Sequence, residues 1–123
     1  MDCFGYVRAK DARDFERQET LVRAYAVLHG HRVAFLYSDR ESAGQEGLKS
    51  SLASVEQGGV LIASTRSAIG TYRHINSLRK RVESKGGTLV IVEDSFRVTN
   101  DSQAKLAKKL ADAIADYREE IGQ

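Results

Sequence analysis

The sequence predicts an α/β domain: a mainly parallel sheet of four to five strands flanked by helices, with a long C-terminal helix. Three observations carry this expectation. Short apolar runs alternate with longer amphipathic segments. Glycine stands at three helix-to-strand junctions. The last segment, from Asn100-Asp101 to Ile121, keeps helical spacing without a break. Composition agrees with a packed domain, since the chain has 123 residues, 41% hydrophobic, 29% charged and 7% aromatic. A chain of this length buries roughly two-thirds of its unfolded surface, enough for one core.

Four runs read as strands in order. Phe4-Gly5-Tyr6-Val7 comes first, then Val33-Ala34-Phe35-Leu36-Tyr37, Val60-Leu61-Ile62-Ala63 and Thr88-Leu89-Val90-Ile91-Val92. Continuous β-branched and aromatic runs suit strands covered on both faces, the parallel-sheet pattern. Between them lie helical patterns. Phe15, Leu21, Val22, Tyr25 and Leu28 share one broad face; Leu48, Leu52 and Val55 share another; Ile75, Leu78 and Val82 recur at steps of three and four. Asp11 or Asp14 caps the first helix, which ends at Gly30. Gly58-Gly59 and Gly86-Gly87 occupy the same place before the third and fourth runs. The final helix is striped by Leu106, Leu110, Ala113, Ile114, Tyr117 and Ile121. Such a stripe either closes the sheet's last face or meets a partner. The expectation is a single domain over 1–123, with a βαβ core over 1–100 and the terminal helix over 101–121.

Several function classes are excluded or unsupported. Ten glycines without a proline rule out collagen-like and low-complexity chains. Nineteen Lys+Arg against seventeen Asp+Glu leave a net charge of +2, too little to argue for nucleic acid as a whole. The lone Cys3 permits neither a disulfide framework nor a four-thiolate zinc site and reads as a small core residue. No secretory leader and no apolar run of ~20 residues is readable, so the expected location is the cytoplasm, away from any membrane. Neither G-x-G-x-x-G nor G-x-x-x-x-G-K-[ST] occurs, so no nucleotide cofactor is expected. His29 and His31 flank Gly30 across a helix end, and His74 stands alone; no metal is expected there.

In parallel α/β sheets, function gathers in the loops past the carboxyl ends of the strands. Those loops bring Arg8, Lys10, Arg40 and Arg66 to one rim, an anion-binding candidate. The same rim carries Asp11, Asp39, Glu41, Glu93 and Asp94, which offer mutual pairing instead. A second basic group is Arg73, His74, Arg79, Lys80, Arg81 and Lys85, and a third is Lys105, Lys108 and Lys109. Both stand on helices with an apolar opposite face, and no aromatics interleave to stack bases.

At these residues the chain resembles one family, the catalytic domain of serine recombinases (resolvases and DNA invertases). The opening Gly5-Tyr6-Val7-Arg8, the following helix with Glu16-Arg17-Gln18 and the loop Tyr37-Ser38-Asp39-Arg40-Glu41-Ser42-Ala43-Gly44 are similar to it. So are Gly47-Leu48, Val60 to Ala63, and Ala115 to Ile121 with Arg118. The resemblance spans essentially the whole chain and implies a long dimer-forming helix. The family's separate C-terminal DNA-binding part is not in this sequence.

Departures fall where the family does its chemistry. Its nucleophilic serine lies two residues after the first-strand arginine, the position of Lys10 here. A lysine cannot form the phosphoserine link that strand exchange requires. Gln45 stands where an arginine is expected. Arg66-Ser67-Ala68-Ile69-Gly70 stands for an Asp-Arg-Leu-Gly-Arg segment, within one residue of register. Phosphoryl transfer rests on positioned cations, so losing several together removes it. Arg8, Lys10, Gln18, Ser42, Gln45 and Arg66 are then vestigial positions.

Three readings follow. The leading one is a resolvase-like domain without recombinase catalysis, kept as an oligomerisation or regulatory module, with DNA-associated work implied by the resemblance. Its partner is a second copy, met through Leu106, Leu110, Ile114, Tyr117 and Ile121. The second is a small α/β enzyme or anion-binding protein using Arg8, Lys10, Arg40 and Arg66. The third is salt-sensitive, sequence-indifferent contact with DNA through Arg73, Arg79, Arg81, Lys85 and Arg118.

Overall fold

The computed structural model describes residues 2–55 and 59–96, and in the C-terminal region Lys108, Asp112, Ile114 and Ala115. The elements alternate as the sequence pattern demands. β1 (Asp2–Ala9) leads into α1 (Ala12–Leu28), β2 (Arg32–Arg40), α2 (Glu46–Ser54) and β3 (Val60–Ala63). α3 (Arg66–Ile69), α4 (Tyr72–Ser84) and β4 (Thr88–Ile91) follow, then a 3₁₀ turn over Val92–Phe96. Among the described residues the four strands are all parallel, in the order β2-β1-β3-β4, so β1 and β3 are central. This is the α/β architecture expected, at the four-strand end of the range.

Side-chain alternation in the central strands divides the core. Tyr6, Leu61 and Ala63 face α2, α3 and α4, packing with Leu48, Ile69, Ile75, Leu78 and Val82. Cys3, Val7, Val60 and Ile62 face the other way, against Val22, Ala24 and Ala26 of α1. β3 has no exposed residue, as its central place requires.

Capping explains the helix boundaries. Asp11 is the N-cap of α1, its Oδ1 accepting the Asp14 N–H at 2.8 Å, so of the two aspartates Asp11 caps and Asp14 sits in the first turn. Thr71 caps α4 reciprocally with His74. Gly30 and Gly86 close α1 and α4 with φ of 70° and 78°, where a side chain would be strained. Gly58 lies outside the described residues.

Three expectations need correction. β2 is not covered on both faces: it is an edge strand with mostly exposed or half-buried residues, and Phe35 is 57% exposed. Its composition signals a pleated surface but not its rank in the sheet. The fourth run stops as a strand at Ile91, and Val92 instead opens a turn while remaining fully buried. α3 was absent from the helical pattern because four residues are too few to show a period; Thr65 caps it by accepting the Ala68 N–H. Leu106, Leu110, Tyr117 and Ile121 lie outside the described residues. Ile114 is helical, half-buried and packed against the α1-side cluster. No helix among the described residues is long and apolar enough to cross a membrane.

Candidate functional site

The carboxyl ends of the strands form a polar edge held together by one buried amide. Gln18, on the inner face of α1, is 3% exposed. Its Oε1 accepts the Arg8 N–H at 3.1 Å and the Ser64 hydroxyl at 2.7 Å. Its Nε2 donates to the Arg8 carbonyl at 2.8 Å and to Asp14 Oδ2 at 3.1 Å. One side chain therefore ties α1 to the ends of both central strands, and a buried amide so satisfied is stabilising rather than costly. Asp14 also receives Arg17 at 2.7 Å and the Lys10 N–H at 3.1 Å. The Arg17 guanidinium, then the Lys10 amide, hold its carboxyl below the ordinary carboxylate range.

Asp39 is the second organiser. Parallel register sets it beside Arg8, and Arg40 beside Ala9. Its Oδ1 accepts the Gly47 N–H at 2.8 Å, and its Oδ2 accepts the Leu48 N–H at 3.1 Å and the Tyr6 hydroxyl at 2.7 Å. A carboxylate thus occupies the positive end of α2. Gly47 is required there, because a Cβ would lie 2.5 Å from the Ser38 carbonyl oxygen. Burial, reinforced by Asp39, pushes the Tyr6 phenol far above its usual value, against a smaller opposing pull from Arg8.

The four cations of the expected rim do not converge. Arg8 turns its Nη2 onto the carbonyls of Glu41 and Ala43, at 2.9 and 3.0 Å, while its Nε is buried without a hydrogen-bond partner. Arg66 pairs with Asp94 at 2.6 Å, which raises its pKa, and Glu93 accepts the Arg66 N–H at 2.8 Å. Lys10 and Arg40 alone share a cleft of about 600 Å³, with Ser38, Ser42 and Phe15 in its wall. The two carboxylates in that wall, Asp11 and Asp39, are occupied by helix amides. Gln45 donates to the Ile69 carbonyl at 2.9 Å, joining α2 to α3.

On α4 the apolar positions Ile75, Leu78 and Val82 are buried, which sends Arg73, Lys80 and Arg81 outward, with Arg79 half-exposed and Lys85 exposed at the C-cap. None of these five forms an ion pair among the described residues. Arg118 lies outside the described residues. Among the described residues no three His, Cys, Asp or Glu gather as metal ligands. Cys3 is buried, and that burial raises its thiol pKa.

Two roles escaped sequence reasoning. His74 serves as the N3 partner of a capping box, its Nδ1 accepting the Thr71 N–H at 3.2 Å. The usual signature has Glu or Gln at that position. Asp39 anchors α2 from eight residues upstream, a separation no local cap pattern covers.

Comparison with known proteins agrees with this fold. The family described as "Resolvase, N terminal domain" matches residues 3–122. No curated protein matches the chain. Among solved structures, a resolvase family site-specific recombinase from Streptococcus pneumoniae is similar, with a TM-score of 0.64 at 14% identity. That similarity covers 98% of this chain and 90% of the other, and at such identity it speaks for the fold. With the family match running over nearly its whole length, the chain belongs to the resolvase N-terminal domain family.

Proposed function

We propose that this is a resolvase-family domain that has lost strand cleavage and acts as a non-catalytic oligomerisation or regulatory module within DNA-associated machinery. The observation that carries this reading is the commitment of the cations. Phosphoryl transfer needs guanidinium groups free to converge on the phosphate. Here Arg8 Nη2 is held by two loop carbonyls, and Arg66 is held by Asp94. Lys10 stands where the family resemblance expects the serine nucleophile, Gln45 where it expects an arginine, and Arg66-Ser67-Ala68-Ile69-Gly70, within one residue of register, where it expects an Asp-Arg-Leu-Gly-Arg segment.

Incubation with supercoiled plasmid, followed by denaturing electrophoresis, is expected to give no covalent protein–DNA adduct and no change in topology. An adduct would overturn the reading. Its oligomerisation half takes 1–123 as one domain associating through Leu106, Leu110, Ile114, Tyr117 and Ile121. Light-scattering mass should then show a dimer or larger, and the Leu110→Asp variant a folded monomer, with Ile114 left unchanged because it also packs against the α1-side cluster. A native monomer would remove that half.

A second reading is favoured by the Lys10–Arg40 cleft, whose cations have no side-chain partner among the described residues. It makes the chain a binder of small anions. Calorimetric titration with inorganic phosphate should then show saturable heat that Lys10→Ala abolishes; an unchanged titration would exclude it.

A further inference from the structure

The side of the molecule opposite α1 concentrates positive charge. α2, α4 and the C-cap Lys85 carry Lys49, Arg73, Arg79, Lys80, Arg81 and Lys85 against Glu46 and Glu83. That is +4 within a chain whose net charge is +2, so the remainder is acidic in balance. The one ion pair there among the described residues, Lys49 with Glu46 at 3.8 Å, is long and almost fully solvated.

Within this basic side, α2 and α4 are separated by a groove of about 180 Å³. Leu48, Leu52 and Leu78 line it, Lys49 borders it from α2, and Arg81 and His74 border it from α4. Both ends are clamped. Gln45 bonds the Ile69 carbonyl at one end, and the Lys85 ammonium donates to the Leu52 carbonyl at 3.1 Å at the other. The groove is therefore preformed, which lowers the ordering cost of binding. Its volume is close to the roughly 150 Å³ of an apolar cavity that holds a benzene ring, so it takes one large apolar side chain.

We propose that the α2–α4 groove docks an acidic amphipathic helix of a partner protein, one apolar side chain entering between the helices and flanking carboxylates meeting Lys49 and Arg81. Two features select this occupant. Arg81 on one border forms no ion pair among the described residues, and Lys49 on the other only the long, solvated one with Glu46, so both call for carboxylates or phosphates. The leucine floor calls for an apolar side chain, which a nucleic-acid backbone does not possess but a helix with anchors at i, i+3 and i+4 does. The inference rests on the interaction-module reading and names the partner's chemistry.

The test is fluorescence anisotropy of the full chain with an end-capped, fluorescein-labelled peptide of ~18 residues, long enough for helix to form. It carries leucine at helical i, i+3 and i+4 spacing and glutamate elsewhere. Binding should be saturable and weaken with salt. Replacing its leucines by alanine should weaken binding about tenfold, and Lys49→Glu or Arg81→Glu in the protein should do at least as much, since like charges then face each other. Both substitutions are exposed, so an unchanged far-ultraviolet spectrum certifies the fold. Absence of binding overturns the proposal, as does indifference to the charge reversals. A leucine-free peptide or a short DNA duplex binding as tightly as the leucine peptide also overturns it, leaving only a polyanion surface. The plasmid assay is independent: an adduct-forming chain that still binds the peptide would lose the non-catalytic reading and keep the groove.

Discussion

Gln18 stands at a position that the family resemblance marks as vestigial, yet its bonds give it a present structural duty. It satisfies both backbone groups of Arg8 and the hydroxyl of Ser64, all at the junction of α1 with the central strands. An apolar replacement of similar size would leave the part-buried Arg8 amide and the buried Ser64 hydroxyl without their acceptor. Each such orphan costs about 1–3 kcal/mol. Gln18→Leu is therefore expected to destabilise the fold by about 2–4 kcal/mol, read as a lower denaturation midpoint in urea at unchanged slope. Ser64→Ala in the Gln18→Leu background should then cost less than alone, because the two share one bond. A neutral Gln18→Leu would show that the network is not stabilising. The residue type alone could not reveal this, since a glutamine on a helix is most often exposed.

At the scale of elements, α4 illustrates a local rule met with an unusual residue. Its capping box pairs Thr71 with His74 at N3, where the imidazole Nδ1 accepts the Thr71 amide. A glutamate there would accept the same amide and add a negative charge at the positive end of the helix. The first turn of α4 holds no acid, and its neighbour Arg73 adds a cation there. His74→Glu should thus raise stability by about 0.5–1 kcal/mol, and Thr71→Ala should lower it by about 1 kcal/mol. Thermal unfolding of the two variants checks both signs. Edge strand β2 shows the complementary lesson. Phe35 and Tyr37 pack ring to ring at 4.6 Å while Phe35 remains largely exposed. Local composition marked the strand, but only the order of strands in the sheet decides how much of it is covered.

For the molecule as a whole, the alternation of apolar runs and amphipathic segments was enough to read the α/β class, because parallel βαβ order follows from period and spacing. Helix ends were legible where a single residue decides them, as at Gly30 and Gly86, whereas the start of α1 was legible only as Asp11 or Asp14. The rim was legible only as two alternatives, an anion site or mutual pairing; the Arg66–Asp94 pair realises the second, and which one holds at each cation depends on loop paths that bring Glu41, Ala43 and Asp94 across the sheet edge. The same long-range pairing buries Tyr6 in the central strand with its hydroxyl on Asp39, thereby fixing the start of α2. Folding raises the pKa of that phenol, first by burial and then by the carboxylate. The stabilisation carried by the neutral phenol is therefore complete below the ordinary tyrosine pKa of about 10 and is lost progressively as pH rises above it. Chemical denaturation of the native chain should show a steady fall in stability through that alkaline range. Tyr6→Phe should be about 1 kcal/mol less stable at neutral pH, having lost one hydrogen bond, and should show a shallower alkaline fall. Parallel alkaline slopes for the two proteins would mean that Tyr6 ionises without unfolding the molecule. Shallower loss in the variant would identify the buried phenol as the group through which high pH opens the whole sheet.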